Sequence, residues 1–196
     1  MSCYSNLAFS AFTMIYIIDF GSSKAPQIAA VISSLGYTYK VFKWNENIDF
    51  KNASGFILSG APVLFTETDS SPYLQAYSFL KKIERPVLGI CFGHQLLGVL
   101  YGAKVFKGKA IRTPVEISLL KEDKLFEGFS KSIVFEEDHT EGIDLPVDFI
   151  RLAASADYKV EAMKHPEKKI YGVQFHPEVS GEKGKQLLNN FCKKCF

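Results

Sequence analysis

The residues best suited to chemistry stand in two short stretches. The first is Val87-Leu88-Gly89-Ile90-Cys91-Phe92-Gly93-His94-Gln95, where a cysteine follows an apolar run and has glycine two positions before and two after it. A thiol on a sharp strand-to-helix turn flanked by glycines is the cysteine form of the nucleophile elbow. The glycines let the turn take strained angles without a Cβ clash. The helix reads from His94 to Tyr101, stopped by Gly102. Its partly positive end lies beneath the sulfur and favours the thiolate. A cysteine on an apolar strand is otherwise a packing residue; the glycine spacing argues against that here.

The second stretch is Gln174-Phe175-His176-Pro177-Glu178, which follows another apolar strand. A nucleophilic cysteine needs a base within hydrogen-bond reach and a group that orients the base. His176 can take the thiol proton and later give it to a leaving amine. Glu178, held nearby by the Pro177 turn, can fix the imidazole tautomer and stabilise the imidazolium. Alone, the pair is a surface histidine beside a solvated glutamate. With Cys91 it completes a Cys-His-Glu triad.

The elements that must position these residues follow from the patterning. Ile15 to Asp19 is a short apolar strand, Pro26 to Leu35 a helix stopped by Gly36, Tyr37 to Phe42 a strand, and Gly55 to Ser59 a third. Ser71-Pro72 opens a helix through Ile83, and the Val87 to Ile90 strand with its helix follows. Strands alternating with helices predict a parallel α/β sheet. The second half reads as strands at 103–106, 113–119, 133–135, 149–153, 160–163 and 170–175, closed by an amphipathic helix from Glu182 to Cys195. The fold class expected is α/β: an open, mostly parallel central sheet with helices on both faces plus a small antiparallel sheet. In such a sheet the ligand sits beyond the carboxyl ends of the strands. Asp19, Gly60, Cys91 and His176 all fall at strand ends.

Bulk properties fit this picture. The chain has 196 residues, 47% hydrophobic and 22% charged, with a net charge of +2, which supplies no argument for nucleic acid or a membrane as partner. No apolar run approaches the roughly 18 residues of a membrane span. The four cysteines, Cys3, Cys91, Cys192 and Cys195, form no secreted-type framework, and a cytoplasmic setting is expected. Cys192 and Cys195 make a C-x-x-C with no second pair to complete a zinc site, so they read as structural and no metal is assigned. Residues 1–13 read as a disordered extension before the domain at 14–196.

The motifs together resemble the class I, triad-type glutamine amidotransferases. Gly89-Ile90-Cys91-Phe92-Gly93-His94-Gln95 and Tyr171-Gly172-Val173-Gln174-Phe175-His176-Pro177-Glu178-Val179 carry the likeness. Asp19-Phe20-Gly21-Ser22, Leu58-Ser59-Gly60-Ala61-Pro62, Val160-Glu161-Ala162-Met163-Lys164-His165-Pro166 and Asn190-Phe191-Cys192 narrow it to the amidotransferase subunit of archaeal-type, two-chain GMP synthetases. The resemblance implies that Cys91 attacks the side-chain amide of L-glutamine, that His176 protonates departing ammonia, and that water hydrolyses the thioester. It places the backbone N–H groups of Ala61 and Phe92 in an oxyanion hole. Gly60, Gln95 and the segment around Asp138 and His139 line the glutamine pocket. It implies no cofactor in this chain: ATP and magnesium belong to a separate ATP-pyrophosphatase or synthetase subunit that receives the ammonia and converts XMP to GMP. No phosphate-binding loop is present.

Three positions depart from the family's pattern. Ala61 stands where Gly is usual, Asp138 replaces a Ser, and the stretch Ser23-Lys24-Ala25-Pro26 follows the first turn where relatives usually carry an aromatic residue. An oxyanion hole needs the amide and not the missing side chain, so Ala61 is expected to keep it; a positive φ there would cost Ala about 1–2 kcal/mol. Asp138 is expected to be solvated. Two other readings stand beside the leading one: the glutaminase component of anthranilate or aminodeoxychorismate synthase, disfavoured by Val179 after His-Pro-Glu, and a non-catalytic amidotransferase-like binding module.

Overall fold

Alternation along the first strand sets up two core layers. In β1 (Met14–Asp19), Ile15 and Ile17 face one side of the sheet and Tyr16 and Ile18 the other, as the two-residue period of a strand requires. The computed structural model describes residues 14–195; the extension read at 1–13 lies outside the described residues.

β1 sits between β2 (Thr38–Lys43) and β3 (Gly55–Leu58), and the sheet continues through β4 (Val87–Ile90) to β11 (Ile170–Val173), every neighbour parallel. Beyond β11 the same sheet runs on antiparallel through β10 (Ala162–Lys164), β9 (Ile150–Ala154), β6 (Val115–Leu119) and β7 (Ser132–Phe135). β5 (Val105–Ile111) and β8 (His139–Ile143) form a separate antiparallel pair. Helices α1 (Ala25–Ser34) and α4 (Gly181–Cys192) cover the Ile15/Ile17 face through Ile28, Ile32, Leu187, Leu188 and Phe191. Helices α2 (Ser71–Tyr77) and α3 (Phe92–Leu100) cover the opposite face through Tyr77, Leu96 and Leu97. The expected fold class is therefore observed, with the antiparallel strands adding to the main sheet as well as forming the small one.

Several boundaries differ from the sequence reading. The helix expected to reach Ile83 leaves α geometry after Tyr77 and tightens into a 3₁₀ segment, Ser78–Lys82. The tighter turn stacks Phe79 on Phe50 at 4.2 Å between ring centres while Leu80 is buried. The last helix ends at Cys192, not Cys195. Burial pushes the Cys192 thiol up, and the Cys195 thiol up to about 12, which keeps both protonated at neutral pH. The segment Glu137–Glu141, to which the sequence reading gives no strand, contains the start of β8.

His94 shows how tightly this frame is closed. It lies on α3, 0% exposed, with its ring against Gly172 of β11. Burial, and then the neighbouring His139, push its pKa down to about 3. The folded pKa is below the unfolded value, so the neutral ring's contribution is complete above about pH 6.5 and is lost as pH falls towards 3. The loss should reach on the order of 3 kcal/mol by pH 4. Urea midpoints measured from pH 7 to 4 should fall steeply for the wild type and less for His94→Gln. Parallel slopes would assign the acid sensitivity to other groups.

Candidate active site

One register brings the two chemical stretches together. Ile90 lies opposite Val173 in the parallel β4–β11 pair, and the Cys91 amide donates to the Val173 carbonyl at 2.9 Å. The chains leaving both strands therefore emerge side by side. Cys91 stands between β4 and α3 with φ +50° and ψ −106°, a conformation that costs a non-glycine residue about 1–3 kcal/mol and is concentrated at functional sites. The flanking glycines act through space as well as torsion. A Cβ on Gly93 would stand 2.5 Å from the Leu58 carbonyl oxygen, and one on Gly89 would overlap the Gly93 carbonyl. Their absence lets the end of β3 reach the first turn of α3, where Gly93 N–H donates to Ser59 O at 3.1 Å.

His176 leaves β11 through a bend and is anchored on three sides. Its amide donates to Glu136 O at 2.8 Å, and its carbonyl accepts from Ser180 Oγ at 2.7 Å. Its Nδ1 lies 2.8 Å from Glu178 Oε1, both side chains almost fully buried. Nε2 faces the thiol without a directed hydrogen bond, the loose ground-state contact that apo nucleophile–base pairs often show. Burial alone would pull the His176 pKa down. Interaction with Cys91 and with Glu178 outweighs it and lifts the ring to about 10. The site thus favours an imidazolium beside the sulfur, held by a buried carboxylate.

Gly60 closes the third side: a Cβ there would lie 3.3 Å from His176 Cε1 and 3.7 Å from Cys91 Cβ. Asp19 does not face the thiol; its carboxylate accepts from Gly21 N at 2.8 Å, a turn that sets Ser22 beside Gly60. Ala61 is not left-handed, since Cys91 and Asp148 are the only non-glycine residues with positive φ among those described. The strain weighed for alanine at this position does not arise.

The segment around His139 forms the opposite wall. The Asp138 carbonyl oxygen is 4.0 Å from Cys91 Sγ. Its carboxylate is not the freely solvated group expected: it pairs with Lys24 Nζ and, at 3.0 Å, with Arg112 Nε. Partial burial would raise its pKa, but Lys24 first and Arg112 next hold it below the ordinary carboxylate value. Gln95 is buried behind this wall, its Nε2 donating to Glu141 O at 3.0 Å and Gln174 Oε1 at 3.1 Å. Glu141 in turn accepts from the amides of Phe65 and Thr66, each at 2.8 Å, tying β8 to the loop that carries Ala61. The His139 ring points inward, with Nδ1 2.9 Å from Glu141 O and Nε2 2.8 Å from Glu137 Oε2.

The structure therefore gathers Cys91, His176, Glu178 and Gly60 around one point, with Asp138 facing the thiol through its backbone. Sequence reasoning missed Lys24 and Arg112 as counter-charges, Ser180 as the clamp on His176, and Glu137. A signal existed for one buried acid: Glu161 interrupts the apolar run Val160-Glu161-Ala162-Met163. A thiol, a buried base and a buried orienting acid in one crevice suit acyl transfer through a covalent thioester.

Comparison with known proteins agrees with this chemistry. The family model for glutamine amidotransferase class-I matches residues 16–195. A Pyrococcus abyssi protein, named as one subunit of the glutamine-hydrolyzing GMP synthase, is 39% identical over 188 residues, spanning 93% of this chain and 98% of the relative. Its Methanosarcina barkeri namesake is 42% identical over 153 residues, 76% of this chain and 78% of the relative. Among solved structures, a Thermoplasma acidophilum chain described as the same GMP synthase subunit superposes with a TM-score of 0.86 at 29% identity, covering 95% of both chains. No helix among the described residues is long and apolar enough to cross a membrane. The chain belongs to the class-I glutamine amidotransferases.

Proposed function

We propose that this chain is the glutamine-hydrolysing subunit of a two-chain GMP synthetase, delivering ammonia to a separate ATP-using subunit. The observation that carries the hydrolytic step is the buried His176 imidazole held between Glu178 and the strained Cys91 thiol. The Cys91 thiolate attacks the side-chain carbonyl carbon of glutamine, and the oxyanion forms between the amides of Ala61 and Phe92. Neither amide has a protein acceptor among the described residues, as a preorganised oxyanion site needs. The carbon–nitrogen bond breaks as His176 gives its proton to ammonia, leaving a γ-glutamyl thioester. Water then gives a proton to His176 and attacks the thioester, and glutamate leaves as the thiolate returns. The names of the archaeal relatives, with which this chain shares most of its length, support XMP as the partner-bound acceptor.

The test combines this chain with a stand-alone ATP-pyrophosphatase subunit, ATP, magnesium and XMP. Glutamine should drive GMP formation with one glutamate released per GMP, and an electrophilic glutamine analogue should label Cys91 and stop it. Glutamate release without GMP formation would remove the nucleotide assignment. No labelling and no ammonia release with the partner present would leave the binding-module reading.

A further inference from the structure

Behind the wall formed by Asp138 lies a cluster that the proposed hydrolysis does not use. Glu137, His139 and Glu161 are 3%, 5% and 0% exposed, and each offers one ligating atom, all within 4.8 Å of one another. We propose that these three residues bind a six-coordinate divalent transition-metal ion of the manganese–zinc class.

The argument begins with the tautomer. His139 Nδ1 lies 2.9 Å from the Glu141 carbonyl oxygen, which can only accept, so Nδ1 carries the hydrogen. With that hydrogen on Nδ1, the neutral ring presents a bare lone pair at Nε2. That lone pair faces Glu137 Oε2 at 2.8 Å, with no hydrogen directed between them. Both Glu137 oxygens, Glu161 Oε2 and His139 Nε2 lack a hydrogen-bond donor. Each of the three buried side chains brings one acceptor atom within 4.8 Å of the others, and an arrangement of acceptors alone is repulsive until something positive enters it.

Geometry and chemistry select the occupant. Two ligand atoms 2.8 Å apart subtend about a right angle at an ion with bonds of about 2.0–2.1 Å, the cis edge of an octahedron. An ammonium ion donating hydrogen bonds of about 2.9 Å would hold its acceptors about 4.7 Å apart, too far for this pair. Two carboxylates balance a doubly charged cation, and imidazole with carboxylate suits manganese, iron and zinc over calcium. The outer contacts match those of built sites. Nδ1–H donates to a backbone carbonyl, and Glu161 Oε1 accepts from Ser155 Oγ at 2.6 Å, orienting Oε2 and Nε2 towards the ion. Protons compete for the same atoms, so binding should weaken as pH falls. An ion here would fix the segment whose next residue, Asp138, presents its carbonyl to Cys91, whatever reaction the crevice performs.

Manganese(II) is the probe of choice because it avoids thiols, which separates this cluster from the cysteines. The full chain, stripped with a chelator, is titrated while the resonance signal of free aqueous manganese is followed. The wild type should remove one equivalent from solution, and Glu161→Gln should bind more than about a hundredfold more weakly. Should that variant not fold, the wild type alone decides: bound manganese should broaden the His139 ring signals and spare those of distant His165. An undiminished free-manganese signal, equal binding by Glu161→Gln, or unaffected His139 resonances would each overturn the site.

Discussion

Replacing Cys91 with serine should lower kcat for glutamine hydrolysis by at least about 10⁴-fold, because in the proposed mechanism removing the nucleophile disables the remaining triad members with it. The backbone survives the change: serine meets the same φ of +50° with a side chain of similar size, and the glycines that allow the close approach of β3 and α3 are untouched. The glutamine KM should stay within a few-fold, since the pocket walls at Gly60 and Asp138 do not depend on the sulfur. That split between kcat and KM distinguishes loss of chemistry from loss of binding. Ammonia release measured with the synthetase subunit present is the appropriate assay, and activity within tenfold of the wild type would remove Cys91 from the mechanism.

A second large effect is expected far from the thiol in sequence. Gly184 lies in α4, where the helix passes over the turn that carries His176 and Glu178. A Cβ at Gly184 would overlap the Pro177 carbonyl oxygen and stand 3.1 Å from Pro177 Cα. These are backbone atoms, so relief must come from moving the helix or the turn. Gly184→Ala should destabilise the fold by about 3 kcal/mol, the upper range for overpacking. A turn displaced by about 1 Å costs about 10²-fold in rate, so kcat should fall even at temperatures where the variant is folded. Thermal melting paired with ammonia release checks both. Lys185→Ala, one residue on, should leave both near wild type.

The parts of this molecule legible in its sequence are those where one local constraint dominates. Glycine spacing around Cys91, apolar runs between turns, and His-Pro-Glu after a strand each have few structural solutions, and the parallel half of the sheet followed from them. β8 was not legible because its inward residues His139 and Glu141 are polar. They are buried by a hydrogen-bond network with Gln95, Gln174 and the 65–66 amides, whose bonds join residues 46 to 79 positions apart in the chain. Hydrophobic periodicity carries no trace of such a strand. The same holds for Asp138, whose environment is set by Lys24, 114 residues earlier. The end of α2 was obscured because its tightening answers to the Phe50 ring, a tertiary demand no helix propensity encodes.

The pairing of Lys24 with Asp138 joins two segments 114 residues apart in the chain. Lys24, in the turn before α1, and Asp138, just ahead of β8, meet as one ion pair. Without the lysine, the partly buried Asp138 carboxylate would have only Arg112 to answer it. The lysine alone would have placed a cation in a wall already holding that arginine. Arg112 also donates to the His139 carbonyl at 2.8 Å. The two positions therefore act as a unit: exchanging either residue alone would bring half of a contact.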